Sequence, residues 1–419
     1  MDIRKKESCS LFFLIALAGA IIPITKGVPP ADTSTAGEVP AATYKLGQEI
    51  TKAEAESAIA ALEKVLADCK DNNLAFRIRY RIGTIYFKAR MNEAAKNQFS
   101  QIANESDCPE LIRVCSFNMA GQISRMEGKD KKALDAFNQV VKYSEQQITG
   151  VKENSIAPVL MKLCYSALFS RAEIYQLQRD YAAGIAEYNC LLRMLGQDKE
   201  GRFSQYIPLA KDRVSQLYLR GGDIGKYIEI AQRLSIDYPQ YYRAGVIKFE
   251  TECVKFLRSA AKDSEFADGS FAAPVRLIAY FKGSNDKSPA KPILEKLGEL
   301  CKEHSNTYAG ILLNYHYAWL LDTLGEKDKA IEAFAQVSSV NIKDANSKIQ
   351  PSAIAETVAE YAKIQRAIML SEKGDYRRAL EAAGSLCAHQ EQSHISDLAK
   401  SVNESIVTLR REVPADGNK

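Results

Sequence analysis

The feature that most restricts this chain is a recurring pair of amphipathic segments, each pair joined by a short polar turn. The cleanest copy runs from Phe76 to Pro109. There Gly83 and Tyr86 precede a turn at 89–92, and Ala95 and Phe99 follow it. Apolar residues spaced three and four apart predict helices. Small residues facing each other let the two helices approach, and the aromatics fill what space remains. The pattern returns with Gly121, the turn EGKDK, Ala133 and Phe137. It comes again with Tyr175, the turn QRDY, Gly184, Tyr188 and Leu191, and then with Tyr218, the turn RGGDIGKY, Ala231, Leu234, Tyr238 and Pro239.

Thr51 with Glu54 three residues on predicts a capped helix before the first pair, striped by Ala55, Ile59, Leu62, Val65 and Leu66. A helix over 241–261 follows the fourth pair. The rhythm then breaks at 263–292, where DSEFADGSFAAP and GSNDKSPAKP cluster Gly, Pro, Ser and Asp around one apolar piece, VRLIAYF. This stretch reads as a degenerate pair or a joint. Ile293, Leu297 and Leu300 restore the stripe. A pair with Tyr317, Ala318, Leu321, Ala330, Phe334 and Val337 comes next, then one with Ala367, Leu370, Ala379, Ala383 and Leu386, and 393–411 reads as a closing helix.

Helix–turn–helix units of about 34 residues with small and aromatic residues at these offsets resemble tetratricopeptide repeats. The resemblance implies an all-α tetratricopeptide-repeat α-solenoid, a right-handed superhelix in which each unit buries its faces against its neighbours. The expected organisation is 1–27 signal peptide, 28–48 flexible linker, 49–262 first array, 263–292 irregular joint, 293–411 second array and 412–419 polar tail. In such repeats the first helices line the concave face, which implies partner contacts at Arg77, Tyr80, Thr84, Phe87 and Lys88. The next units would add Asn118, Gln122 and Arg125, then Phe169, Glu173 and Gln176, and the late one Tyr315, Trp319 and Asp322. Tyr, Trp and Arg suit contact because they combine large area with polar handles. The Lys and Asn that grip a C-terminal carboxylate in chaperone-docking members of the family are replaced by Tyr80 and Thr84, and by Asn118 and Gln122.

Composition bears on location and partner. MDIRKKE, the apolar run SLFFLIALAGAIIPI and small Ala18, Gly19 and Ala20 have the layout of a secretory signal. Leu11 to Ile24 would reach only about 21 Å as a helix, short of the roughly 30 Å hydrocarbon core, so no stable membrane insertion is expected after cleavage. The alternative is an inner-membrane anchor formed by the uncleaved segment. Exported chains permit disulfides, yet Cys69, Cys108, Cys115, Cys164, Cys190, Cys253, Cys301 and Cys387 stand singly, several on apolar helix positions, and read mostly as free thiols, with Cys108 and Cys115 the nearest local pair. With 56 basic against 52 acidic residues the chain has no basic run of the kind that would bind nucleic acid.

No HExxH helix, GxSxG elbow or GxxxxGK[ST] loop occurs. The four histidines, His304, His316, His389 and His394, read as surface residues near helix ends. No catalytic residue, cofactor or metal is expected. SIDYPQ after a helix is similar to repeats of bacterial periplasmic proteins that assist outer-membrane assembly or envelope maintenance. The expected function is a non-catalytic scaffold of the periplasm or cell envelope that binds protein or peptide partners. The alternatives are an enzyme or enzyme subunit with a degenerate catalytic patch near 263–292, and a self-assembling envelope component.

Overall fold

The computed structural model describes residues 50–150, 157–197, 201, 204–260, 266, 268–305, 307–339, 352–387 and 394–412. The expected signal peptide and linker lie outside these residues, as does the tail beyond Glu412. Among the described residues there are 17 α-helices and no strand. The chain divides into two compact units between Ala210 and Lys211.

The first unit holds α1 (Lys52–Ala67), α2 (Asn72–Lys88), α3 (Asn92–Asn104), α4 (Glu110–Met126), α5 (Asp130–Gly150), α6 (Ala157–Leu177) and α7 (Tyr181–Gly196), with the start of α8 (Tyr206–Arg220). Successive helices from α1 to α7 pack on one another, and α2, α4 and α6 also meet in turn. Thr51 caps α1: its side chain accepts from the Glu54 amide while the Glu54 carboxylate accepts from the Thr51 amide at 2.8 Å. Apolar Ile59 and Leu62 of α1 close over Ile78, Ile82 and Ile85 of α2, so this helix covers the open end of the array.

The second unit holds the rest of α8, then α9 (Ile224–Asp237), α10 (Ala244–Ala260), α11 (Ala273–Gly283), α12 (Ala290–Glu303), α13 (Tyr308–Thr323), α14 (Lys327–Ser339), α15 (Ser352–Glu372), α16 (Tyr376–Cys387) and α17 (His394–Glu412). The segment expected as a joint lies inside this unit. Its apolar piece forms α11, preceded by a short 3-10 turn at Ser270–Ala272, and it buries Leu277 and Phe281 against α10 and α13. From α12 to α17 successive helices pack together, and α13, α15 and α17 also meet in turn.

One turn joins the helices of each regular pair. The amide of Met91 donates to the Tyr86 carbonyl at 2.9 Å, and the same bond runs from Lys129 to Ser124, Asp180 to Tyr175, Asp223 to Tyr218, Glu326 to Leu321 and Asp375 to Leu370. The residue before each donor is left-handed: Arg90, Gly128, Arg179, Gly222, Gly325 and Gly374. This is the Schellman ending, which satisfies the last carbonyls of one helix and reverses the chain. Asp180, Asp223 and Asp375 then cap the second helix through their side chains.

The shared turn fixes the register of every pair. Three residues before the turn acceptor stand Gly83, Gly121, Ala172, Ser215, Ala318 and Ala367, all small. A Cβ at Gly83 would meet the Phe99 ring at 2.8 Å, and one at Gly121 would meet Phe137 at 2.7 Å, so the second helix's aromatic is seated on the missing side chain. Ala95, Ala133, Ala330 and Ala379 are fully buried, as expected of the close approach. The fourth pair departs from the sequence reading in a compensated way. Its small position is filled by Tyr227 and its aromatic position by Ala231, both fully buried, so large and small have changed places.

Polar rungs tie consecutive pairs at the turns. Lys129 reaches Glu93 at 3.1 Å, Gln178 reaches Asp130 at 3.1 Å, and Lys373 pairs with Asp328, each time from one turn to the start of the preceding pair's second helix. Exposed rungs of this kind add little stability, but they favour one register of stacking. The cysteines among the described residues other than Cys387 are free thiols: Cys69, Cys108, Cys115, Cys164, Cys190, Cys253 and Cys301.

Candidate functional site

A helix of a packed pair has faces committed to its partner and neighbours and a remainder available to ligands. In the first unit the committed faces of α2 are Ile78, Ile82 and Ile85 toward α1, and Phe76, Tyr80, Gly83 and Phe87 toward the interior. Tyr80 sits 5.2 Å from the Phe99 ring centroid, and burial pushes its phenol up. Tyr80 and Phe87 therefore contribute more to packing than to a free surface. Arg77 is exposed and Lys88 half-buried, both on the uncommitted face with Thr84.

The equivalent residues of α4 and α6 are engaged with each other. Gln122 donates to Ser170 Oγ at 2.9 Å and Arg125 pairs with Glu173, which locks these helices side by side. Asn118 is only 3% exposed. Phe169 is buried, edge-on to Tyr188 at 5.7 Å. In the second unit Tyr315 and Trp319 are buried against Phe334, with ring centroids 5.8 and 5.7 Å away. Phe169, Tyr315 and Trp319 thus lie in the core, because the aromatic bodies that would suit a partner also suit the gap between helices. The sequence reading missed Arg81, Met126 and Leu177, all exposed. Arg81 lies one turn after Arg77, a spacing of four that could have been read from the sequence.

The 263–292 stretch does bring polar groups together, with a network around Ser270. Arg243 donates to Asp212 at 2.5 Å and to Glu250 at 3.0 Å. Ser270 Oγ donates to Glu250 at 2.5 Å and accepts from Gln216 at 2.6 Å, while the Ser270 amide donates to Gln216 at 2.9 Å. Tyr241 adds a hydroxyl to Asp212 at 3.1 Å. Burial pushes the Glu250 carboxyl up, partly offset by Arg243. Burial also works against the Arg243 charge, but Asp212 and Glu250 beside it override this and hold it protonated. Glu250 is 2% exposed and Ser270 fully buried. The network ties α8, α10 and the 3-10 turn together and leaves Ser270 without access to a substrate.

A cleft of about 380 Å³ beside α10 and α12 has Phe249, Phe256, Pro289 and Ile293 in its walls with Glu252 among them. Burial raises the Glu252 carboxyl, but bonds from Lys255 at 2.9 Å and Lys296 at 3.3 Å outweigh it and keep it below its ordinary value. An ionised carboxylate held by lysines is an ion pair, and the Ser259 hydroxyl that also lines the cleft donates to the Phe256 carbonyl at 2.7 Å.

Among the described residues no group of three His, Cys, Asp or Glu side chains is placed to hold a metal ion, and no helix is long and apolar enough to cross a membrane. The histidines correct one expectation. His316 lies mid-helix in α13 between Phe249 and Tyr315, and burial lowers it to about 4. His304 lies against Gly245 of α10, where an added Cβ would come within 2.3 Å of its ring. His389 is outside the described residues.

No family model and no curated protein matches the chain. Solved structures do overlap it. One is a tetratricopeptide repeat protein from Parabacteroides merdae, at 12% identity and TM-score 0.38, covering 79% of this chain and 98% of that one. Another is the TPR domain of P58(IPK), at 14% identity and TM-score 0.28, covering 85% and 94%. The repeated Schellman turn, the small residue three positions before it and the ring seated on Gly83 and Gly121 carry the assignment instead: this chain is an all-α array of tetratricopeptide-type helix pairs.

Proposed function

We propose that the chain is a non-catalytic scaffold of the bacterial cell envelope, exported through its N-terminal segment, which holds protein or peptide partners on the face formed by the first helices of its repeats. The observation that carries this reading is the face of α2 that carries exposed Arg77 and Arg81 with half-buried Thr84 and Lys88, while the apolar residues of the helix pack toward α1 and the interior. The basic start and apolar run before residue 27 support export, with periplasmic release after cleavage or retention at the inner membrane without it. The buried state of Ser270 and Glu250 supports a structural rather than a catalytic role for the 263–292 stretch.

A photo-crosslinking side chain at Gln122, compared with one at exposed Asn138 on a second helix, tests the binding face in intact cells. Protein adducts from Gln122 and none from Asn138 are expected; adducts from neither position would sink the scaffold reading. N-terminal sequencing of the chain recovered from the envelope fraction tests export, and a chain found uncleaved in the cytosol would defeat that part alone.

A further inference from the structure

On the uncommitted face of α2, Arg77, Arg81, Thr84 and Lys88 follow one another at intervals of four, three and four, which draws a single line along a helix. Arg77 and Arg81 are exposed, and the helix contains no Asp or Glu. Among the described residues no carboxylate pairs with Arg77, Arg81 or Lys88. Several cations of the same pairs that lie off this line are held: Arg79 by Glu105, Lys96 by Glu93 and Glu127, Arg125 by Glu173, Arg171 by Glu187.

The neighbouring helices differ in kind at the same register. In α4 the matching positions are Cys115, Met119, Gln122 and Met126, and in α6 they are Ser166, Ser170, Glu173 and Leu177. Met126 is 58% exposed and Leu177 is 76% exposed. These are the ends of adjacent helices that the Gln122–Ser170 and Arg125–Glu173 contacts hold side by side. A charged row on one helix is thus followed by soft apolar side chains on the next two.

Building on the proposed scaffold role, we infer that this face of the first unit binds an acidic peptide segment of a partner protein, its carboxylates along Arg77, Arg81 and Lys88 and its apolar side chains on Met126 and Leu177. Charge complementarity selects the acidic chain and speeds its encounter. Thioether side chains accept apolar groups of varied shape, which suits a peptide rather than one rigid ligand. A nucleic acid fits less well, since its phosphates continue past one row of cations and would next meet methionines and Glu173.

The test is fluorescence anisotropy on the full chain with a labelled peptide of glutamate, leucine and phenylalanine, about a dozen residues long, as an extended segment crossing adjacent helices requires. Its comparators are the same peptide with lysine for glutamate, the same with serine for the apolar residues, a single-stranded oligonucleotide, and phosphatidylglycerol vesicles. The acidic–apolar peptide alone should bind, more weakly as salt rises. The double variant Arg77→Glu/Arg81→Glu should weaken it at least about tenfold by placing like charges opposite, with an unchanged melting temperature. Met126→Ser/Leu177→Ser should weaken it as well. Equal binding by the lysine peptide, preference for the oligonucleotide or the vesicles, or wild-type affinity in the charge-reversed variant overturns the inference. A random-peptide display separates the two proposals. Enrichment of neutral or basic peptides that the Met126→Ser/Leu177→Ser variant loses overturns this inference and upholds the scaffold role, whereas no enrichment of any peptide defeats both.

Discussion

At the scale of single residues, the turn shows how far one backbone conformation constrains choice. The left-handed position costs an L-residue with a Cβ about 1–2 kcal/mol, and glycine avoids that at an entropic cost of about 0.5–1 kcal/mol. Gly128, Gly222, Gly325 and Gly374 follow the preference, while Arg90 and Arg179 do not. Arg179→Gly should therefore stabilise the chain by up to about 1 kcal/mol, and Gly128→Ala should destabilise it by about the same. Urea unfolding of both variants checks the pair; a lower midpoint for Arg179→Gly would contradict the strain. The exchanged residues of the fourth pair make a second case. Tyr227→Ala should cost about 3–5 kcal/mol by leaving a cavity. Adding Ala231→Phe should recover about 1–3 kcal/mol of it, because a ring returns to the place held by Phe99, Phe137, Tyr188 and Phe334 in four of the other pairs. Strictly additive losses would refute the exchange. The sequence displayed the Gly–aromatic offsets directly because sterics admit few residues there. The Tyr227/Ala231 exchange was illegible, since only the turn hydrogen bond fixes which residue occupies which position.

At the scale of elements, helices and turns were readable because their signals are local: period, caps and the turn dipeptides. Thr51 with Glu54 is one example, and α1 begins where that pair places it. What a face does was less readable, because burial depends on the neighbour. Phe169 and Tyr315 occupy the position that holds Tyr80 and Asn118 in the first two pairs, where the side chain is turned inward as well, whereas Trp319 stands where the first pair has half-buried Thr84 and packs on Phe334. Nor could the network at Ser270 be found, because its members come from separate elements: Asp212 and Gln216 from α8, Arg243 from before α10, Glu250 from α10 and Ser270 from the 3-10 turn. The network is a staple that is costly to break from one side. Arg243→Met leaves Asp212 and Glu250 buried without their counter-charge and should destabilise by about 3–5 kcal/mol. The loss should also depend on pH. Glu250 already has a folded pKa raised above its unfolded value by burial, and removing Arg243 raises it further. Stability linked to a raised carboxyl is complete below the unfolded value, near 4.5, and is lost as pH rises through the folded one. The deficit of Arg243→Met should accordingly shrink as pH falls from neutral toward that value. A deficit independent of pH in thermal unfolding would dissociate Glu250 from the loss.

At the scale of the whole molecule, the two units differ in how acid should act on them. His316 in the second unit is lowered to about 4 by burial between its aromatic neighbours, and His304 in the same unit is lowered by burial too, with Glu303 opposing and Lys248 assisting. A histidine held neutral in the fold contributes stability that is complete above its unfolded value of 6.5 and is lost as pH falls toward the folded one. The first unit has no histidine among its described residues, and its Glu187, like Glu250 of the second unit, is raised by burial, which favours the fold as acid is added, so the histidines are what distinguish the two units. Its lowered carboxyls, Glu93 and Glu127, begin below 4.5 and titrate only under more acid conditions. Between pH 7 and pH 5, hydrogen exchange corrected for intrinsic rate should therefore lose protection in α10 and α13 while α2 to α5 hold theirs. His316→Phe, which keeps the ring and removes the titrating group, should abolish most of that difference. Uniform loss across both units, or a His316→Phe chain as acid-sensitive as the parent, would show that the buried imidazole does not govern the response. The helix pairs share one turn and one packing rule, yet where the sequence inserts a titratable ring at a packed position, it gives one part of the array a response to pH that the repeat pattern itself does not encode.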